Sequence, residues 1–415
     1  MTPTILFYIL IGILSLSFFI SKVLDYLNAQ HFEDDIPKEL IDVYDTEAYQ
    51  KSQDYKKINY EFSNITDTFS IVVTLAFFFL NGFRYLDDFV KSISQNSTIV
   101  TLLFFGIIMI GSDLLSIPFS YYRTFVIEEQ FGFNKTNKRT FFLDKLKGWL
   151  MMAILGGIIL TLMLLLYELT QTSFWLYSWI LIAAFSIFMN MFYAQLIVPL
   201  FNKQTPLEEG ELKTAIENYA KKVGFALDNI FIIDGSKRST KANAYFSGFG
   251  KQKRITLYDT LLTDLNTDEI VAVLAHEVGH YKKKHIIFNL ISAILLTGIT
   301  LFILSLFINS SILSEALGVG MPSFHIGLIA FGVLYTPISE ITSLCMNYIS
   351  RNFEYQADNY AKETFSEIAL ISSLKKLSKN SLSNLTPHKF YVFAHYSHPT
   401  LLERIKNLKN SIKTC

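Results

Sequence analysis

His276, Glu277 and His280 form the run His-Glu-Val-Gly-His, with the two histidines four residues apart. On an α-helix such positions share a face, so both imidazoles can reach one metal ion. The glutamate between them is placed to take a proton from water held by that ion. This is the residue spacing of zinc-dependent peptide hydrolysis. The chain has only eight histidines, which makes the spacing a poor coincidence. A catalytic zinc site needs a third protein ligand and keeps a fourth position for water. Glu354, in the segment Ser350–Asp358, is the best candidate, and Asp358 lies one turn further on the same helical face. The competing reading is a solvated acidic face with Glu354 paired to Arg351. Asp358 would orient a ligand histidine or assist proton transfer.

The elements that must position these residues are mostly apolar. The 415 residues are 51% hydrophobic and 17% charged, too apolar for an ordinary soluble chain. Zero formal net charge and the lack of a basic, aromatic-interleaved block exclude a nucleic-acid partner. The two cysteines, Cys345 and Cys415, lack the spacing of a disulfide framework or a metal site. Seven apolar stretches read as membrane spans: Thr4–Ile20, Phe69–Phe83, Thr98–Phe119, Gly148–Tyr167, Phe174–Leu200, Ile286–Ile308 and Phe324–Met346. The second is short. The first lacks a basic flank and a cleavage site, so it reads as a retained anchor. Lysines and arginines crowd the first, third and fifth connections and the tail, which predicts the N-terminus outside and the C-terminus in the cytoplasm.

Between the fifth and sixth spans lies the longest polar connection. Leu207–Val223 reads as an amphipathic helix ended by Gly224, and Asn229–Ile233 as a short buried strand closed by a turn at Asp234-Gly235. Ala242–Phe249 and Arg254–Tyr258 read as two strands joined at Gly250. Asn266 and Glu269 spell a capping box before the motif helix. With no glycine or proline from Tyr281 to Leu296, that helix is expected to run straight into the sixth span. The same argument extends the seventh span through Thr364, presenting Arg351, Glu354 and Asp358 beyond the membrane. Asp113 and Glu340, inside spans, should pair or face a wet interior. His285 and His325 flank spans and read as interfacial.

These residues carry a resemblance. Glu129–Asn134, Pro199–Asn202, Gly235–Ser239, Asn243–Phe246, Lys253–Ile255, Asp259–Leu262, His276–His280, Phe353–Asp358 and His395–Pro399 occur in the order found in type I CAAX prenyl proteases. The chain resembles that family of integral-membrane gluzincin zinc endopeptidases. The likeness implies one zinc ion per chain on His276, His280 and Glu354, with Glu277 as general base. It implies Asp358 as proton donor or ligand support and His398 as a hydrogen-bond donor near the scissile bond. Asn243 and Ala244 would pair with substrate backbone. Seven long helices would enclose a water-filled chamber.

The expected fold is mainly α: a multi-pass membrane protein with about seven transmembrane helices and a small α+β zinc-peptidase domain. Residues 1–200 would hold five spans, 201–285 the cytoplasmic catalytic segment, 286–346 two more spans, and 347–415 the cytoplasmic piece completing the site. The implied activity is removal of the last three residues from prenylated CaaX proteins or peptides, in a bacterial inner membrane or the endoplasmic reticulum. Partners would be that substrate and the lipid bilayer. The alternatives are a broad-specificity quality-control zinc protease and a non-enzymatic membrane protein with a vestigial site; the intact His276, Glu277, His280 and Glu354 argue against the last.

Overall fold

The computed structural model describes residues 1–225, 230–248 and 253–410. Cys415 and Gly250, with Asn229 and Phe249 at two expected strand ends, lie outside them. Long apolar helices span Pro3–Ala29, Thr46–Phe79, Ser97–Tyr122, His285–Phe307 and Phe324–Thr364. The helical stretch Lys138–Phe201 is long enough to cross twice. It does so by reversing after Thr170, where Gln171 adopts a left-handed φ of 46°, and resuming as Phe174–Leu196. The result is seven spans among the described residues. The second ends at Phe79, not Phe83: Asn81, at φ 57°, turns the chain into the separate helix Gly82–Ile93. Its shortness is resolved by its flank, because Thr46–Phe79 is one helix whose polar half leaves the apolar zone.

The spans close into a ring. Each packs on its neighbour in the order first, second, third, fourth, fifth, sixth, seventh, and back to the first. Seven helices spaced 8–10 Å apart around a ring leave a central space on the order of 10 Å across. Burial confirms the hollow. The first span buries Leu6 and Leu10 at one end and Asn28 at the other. The seventh buries Phe324 to Phe331 and then nothing until Glu354. A solid bundle would bury its middle most; this one is packed at its ends. Along the seventh helix Thr336, Glu340, Ser343, Asn347, Glu354 and Asp358 fall on one face by helical periodicity. Glu340 is exposed on that face. Asp113 is paired, to Lys145 at 2.6 Å and the Trp149 indole at 2.7 Å.

Among the described residues four strands form one sheet in the order β1 (Gln204–Pro206), β2 (Ile230–Ile233), β4 (Arg254–Tyr258), β3 (Ala244–Ser247). β2 and β4 run parallel; the outer pairings are antiparallel. Among the described residues β3 is therefore an edge. β1 was not expected, and the helix foreseen over Leu207–Val223 is shorter, Glu211–Lys222, starting after Gly210. Leu257, Leu261, Leu274 and Val278, each at most 1% exposed, seat the motif helix on the sheet. Burying each of the leucines contributes about 1.5–3 kcal/mol.

Candidate metal centre

The motif helix is Thr267–Lys282, and its expected capping box is present: Asn266 accepts from the Glu269 amide at 3.0 Å and Glu269 accepts from the Asn266 amide at 2.9 Å. The same Glu269 carboxylate holds Ser372 and Lys376 of the helix Glu367–Asn380, so the cap also fixes tertiary position.

The motif helix packs closely on the extension of the seventh span. Gly279 makes this possible: a Cβ there would lie 3.0 Å from the Ala357 Cα and 3.1 Å from its carbonyl oxygen. Ala272, Ala275, Ala357 and Ala361 are fully buried in the same contact region. Small residues on both helices let the backbones approach. That approach brings Glu354 to the histidines.

The donor atoms converge. His276 Nε2 and His280 Nε2 are 3.1 Å apart, and the Glu354 oxygens lie 3.4 Å and 3.2 Å from them. Bonds of 2.0–2.1 Å in tetrahedral geometry place ligand atoms about 3.3 Å apart, so the trio fits zinc. Glu354 is 4% exposed and its Oε2 has no hydrogen-bond partner, as expected of an oxygen that serves an ion.

The ligands are oriented from behind. His276 Nδ1 donates to Asp358 Oδ1 at 2.9 Å, leaving Nε2 for the metal. Asp358, fully buried, is gripped by both arms of Arg404, at 2.9 Å and 2.5 Å. The 3.3 Å approach of Arg404 to His276 Nδ1 joins two donors, so it is no bond in this tautomer. Burial alone would depress the His276 imidazolium; the neighbouring Asp358 and Glu354 carboxylates raise it to about 9. His280 Nδ1 lies 3.0 Å from His285 Nδ1, and His285 Nε2 lies 3.2 Å from Gln356 Oε1. With His280 Nε2 on a metal, its Nδ1–H donates to His285, whose Nε2–H donates to Gln356.

Two expectations fail here for one reason. The motif helix does not continue into the sixth span. It stops at Lys282, Lys284 takes a left-handed φ of 61°, and a new helix begins at His285. The break swings His285 inward, where it is 3% exposed and stacks on Phe353 at 4.0 Å; it is not interfacial. His325 is also buried, paired to Asp87 at the far end of the ring. Sequence reasoning missed Arg404 and His285. Arg404 had one signal, a second capping box at Thr400 and Glu403 that starts a helix straight after the His395–Pro399 block.

His398 joins the trio, its Nε2 3.3 Å from Glu354 Oε1, with a side chain 63% exposed on the open side. His395 instead packs on Tyr391. Glu277 is half-buried, and its charge is felt by Arg404. Asn243 and Ala244 lie at the start of the edge strand, where the Asn243 side chain accepts the Ala244 amide.

A metal trio built where a ring of membrane helices meets a small sheet defines an integral-membrane metallopeptidase. The chain belongs to peptidase family M48, whose model matches residues 206–412, while residues 25–203 match the CAAX prenyl protease N-terminal region of five membrane helices. It is 36% identical to a CAAX prenyl protease 1 homolog of Oryza sativa subsp. japonica, over 91% of this chain and 90% of the relative. It is 37% identical to CAAX prenyl protease 1 of Saccharomyces cerevisiae, over 91% and 89%. The crystal structure of S. mikatae Ste24p superposes with a TM-score of 0.93 at 35% identity, covering 98% of this chain and 99% of that one.

Proposed function

We propose that the chain is a zinc endopeptidase that removes the last three residues of prenylated CaaX proteins or peptides. The observation that carries the proposal is the trio His276, His280 and Glu354, with donor atoms 3.1–3.4 Å apart, beneath a hollow ring of membrane helices. Names of relatives supply the CAAX and prenyl elements.

Zinc held by this trio would polarise the scissile carbonyl and acidify the attacking water. Glu277 takes that water's proton as general base. His398, beside Glu354 on the open side, donates a hydrogen bond to the developing oxyanion, a role worth about 2.7–4 kcal/mol. Asp358 is the support of His276 and not a proton donor, because its carboxylate is sealed from solvent and already engaged by Arg404 and His276. The free edge of β3, from Ala244, receives substrate backbone as an added strand, which grips a peptide without reading its side chains. The site faces the cytoplasm of a bacterial inner membrane or an endoplasmic reticulum, following the lysine and arginine bias of the connections.

The test compares one CaaX peptide with and without farnesyl. Preferential cleavage of the prenylated form supports this reading; indifference replaces it with a broad-specificity protease. Glu277→Gln should retain zinc and lose activity by about 10²–10⁴-fold.

A further inference from the structure

A cavity of about 660 Å³ lies between the first two spans and the C-terminal segment. One end of its wall carries His398 and Arg404, so it opens within one side chain of the ligand Glu354. Another part of the wall carries Lys56, and Ser378, Ser381 and Asn384 make a third side polar.

Lys56 is unlike the other cations around the site. It is 8% exposed, and its ammonium has no hydrogen-bond partner. No carboxylate pairs with it among the described residues, and the Tyr49 ring lies 5.9 Å from it. Lys241 by contrast pairs with Glu128 at 3.0 Å, and Arg404 with Asp358. Asp25, the acid on the cavity wall, is taken by Lys22 at 3.0 Å. One turn before Lys56, Gln53 also leaves both amide atoms without a partner, although only 2% exposed. A buried, unpaired ammonium is costly. Such a group is explained when its counter-charge arrives with a ligand.

We propose that Lys56 anchors the free C-terminal carboxylate of the substrate and thereby sets the cut three residues from the chain end. This rests on the CaaX reading above. The cavity is roughly 10 Å across for its volume, and three extended residues span about 10 Å, so a tripeptide reaching from the metal trio past His398 ends near Lys56. The serine and asparagine wall suits the peptide groups of that tripeptide. The flexible four-carbon stem of lysine lets the ammonium swing into the cavity to meet the carboxylate. The segment leading into the edge strand is tied to the same cavity: Lys241, three residues before Ala244, donates to Tyr55, a wall residue, at 3.0 Å.

The test uses the full-length protein and one farnesylated CaaX peptide made as free acid and as C-terminal amide. Wild type should favour the acid in kcat/KM by on the order of 10- to 100-fold, the range of a charge-assisted hydrogen bond. Lys56→Met should bring the two rates together, mainly through KM, while zinc content stays unchanged; Lys56→Arg should keep part of the preference. An undiminished preference in Lys56→Met overturns the assignment. As a check that needs no variant, the released tripeptide should inhibit wild type as acid and not as amide. Equal inhibition also overturns the proposal. Indifference of wild type to farnesyl is a separate outcome, and it removes the CaaX reading instead.

Discussion

At the far end of the ring His325 holds Asp87 at 2.8 Å; at the motif end His276 holds Asp358 at 2.9 Å. All four side chains are buried, and each aspartate has a cation, Lys91 at 2.7 Å in one case and Arg404 in the other. The pairs differ in the second ring nitrogen. His325 spends Nδ1 on Thr101 at 3.2 Å and lies against Phe104, so no lone pair remains for a ligand. His276 turns its remaining nitrogen toward His280 and Glu354. A buried histidine–carboxylate pair is a structural clip when both nitrogens are satisfied by protein. It becomes a reactive site when one is aimed at other ligands.

The comparison is most severely broken at Gly279. Gly279→Val should drive the motif helix away from Ala357 and abolish both bound zinc and activity, read by metal analysis of the purified protein. Retained stoichiometric zinc would show that the helices tolerate the separation. A smaller effect is expected at the clip itself. Asp358→Asn should lower zinc affinity by about 10–100-fold through the loss of His276 orientation, and competition with a chelator measures it. Unchanged affinity would mean that the Arg404–Asp358 pair acts on folding alone.

Protonation gives a milder probe. The raised His276 holds a proton that a metal must displace, so zinc affinity should climb with pH until about 9 and fall as pH drops. The slope is about tenfold per pH unit for each proton released. A flat profile between pH 6 and 9 would contradict the hydrogen-bonded pair. The far-end pair should register least in chemistry. His325→Gln should cost about 1–3 kcal/mol of stability, seen as a lower Tm in detergent, with zinc content unaltered. Any loss of zinc there would erase the distinction between the two ends.

Periodicity and spacing alone place much of this protein. The apolar stretches give seven crossings, because water-free surroundings demand helices of a set length. The capping box, the strand Arg254–Tyr258 and the unbroken helix through Glu354 are local in origin and stand as read. What escaped depends on single backbone angles and on segments distant in the chain. The left-handed Lys284 ends a helix that composition would have continued, and that one residue turns His285 from a membrane flank into a partner of His280. Arg404 meets Asp358 across 46 residues, a contact that no local pattern encodes.

The sequence by itself determined that a metal could be held, since ligand types and their i,i+4 spacing are properties of one helix. It also determined that the holder spans a membrane. Only the tertiary structure decided which carboxylate reaches the histidines, because Gly279 and Ala357 must touch before Glu354 can arrive. It also decided that the ring is hollow, since burial at the ends and exposure at the middle is a property of seven helices packed together and not of any one of them.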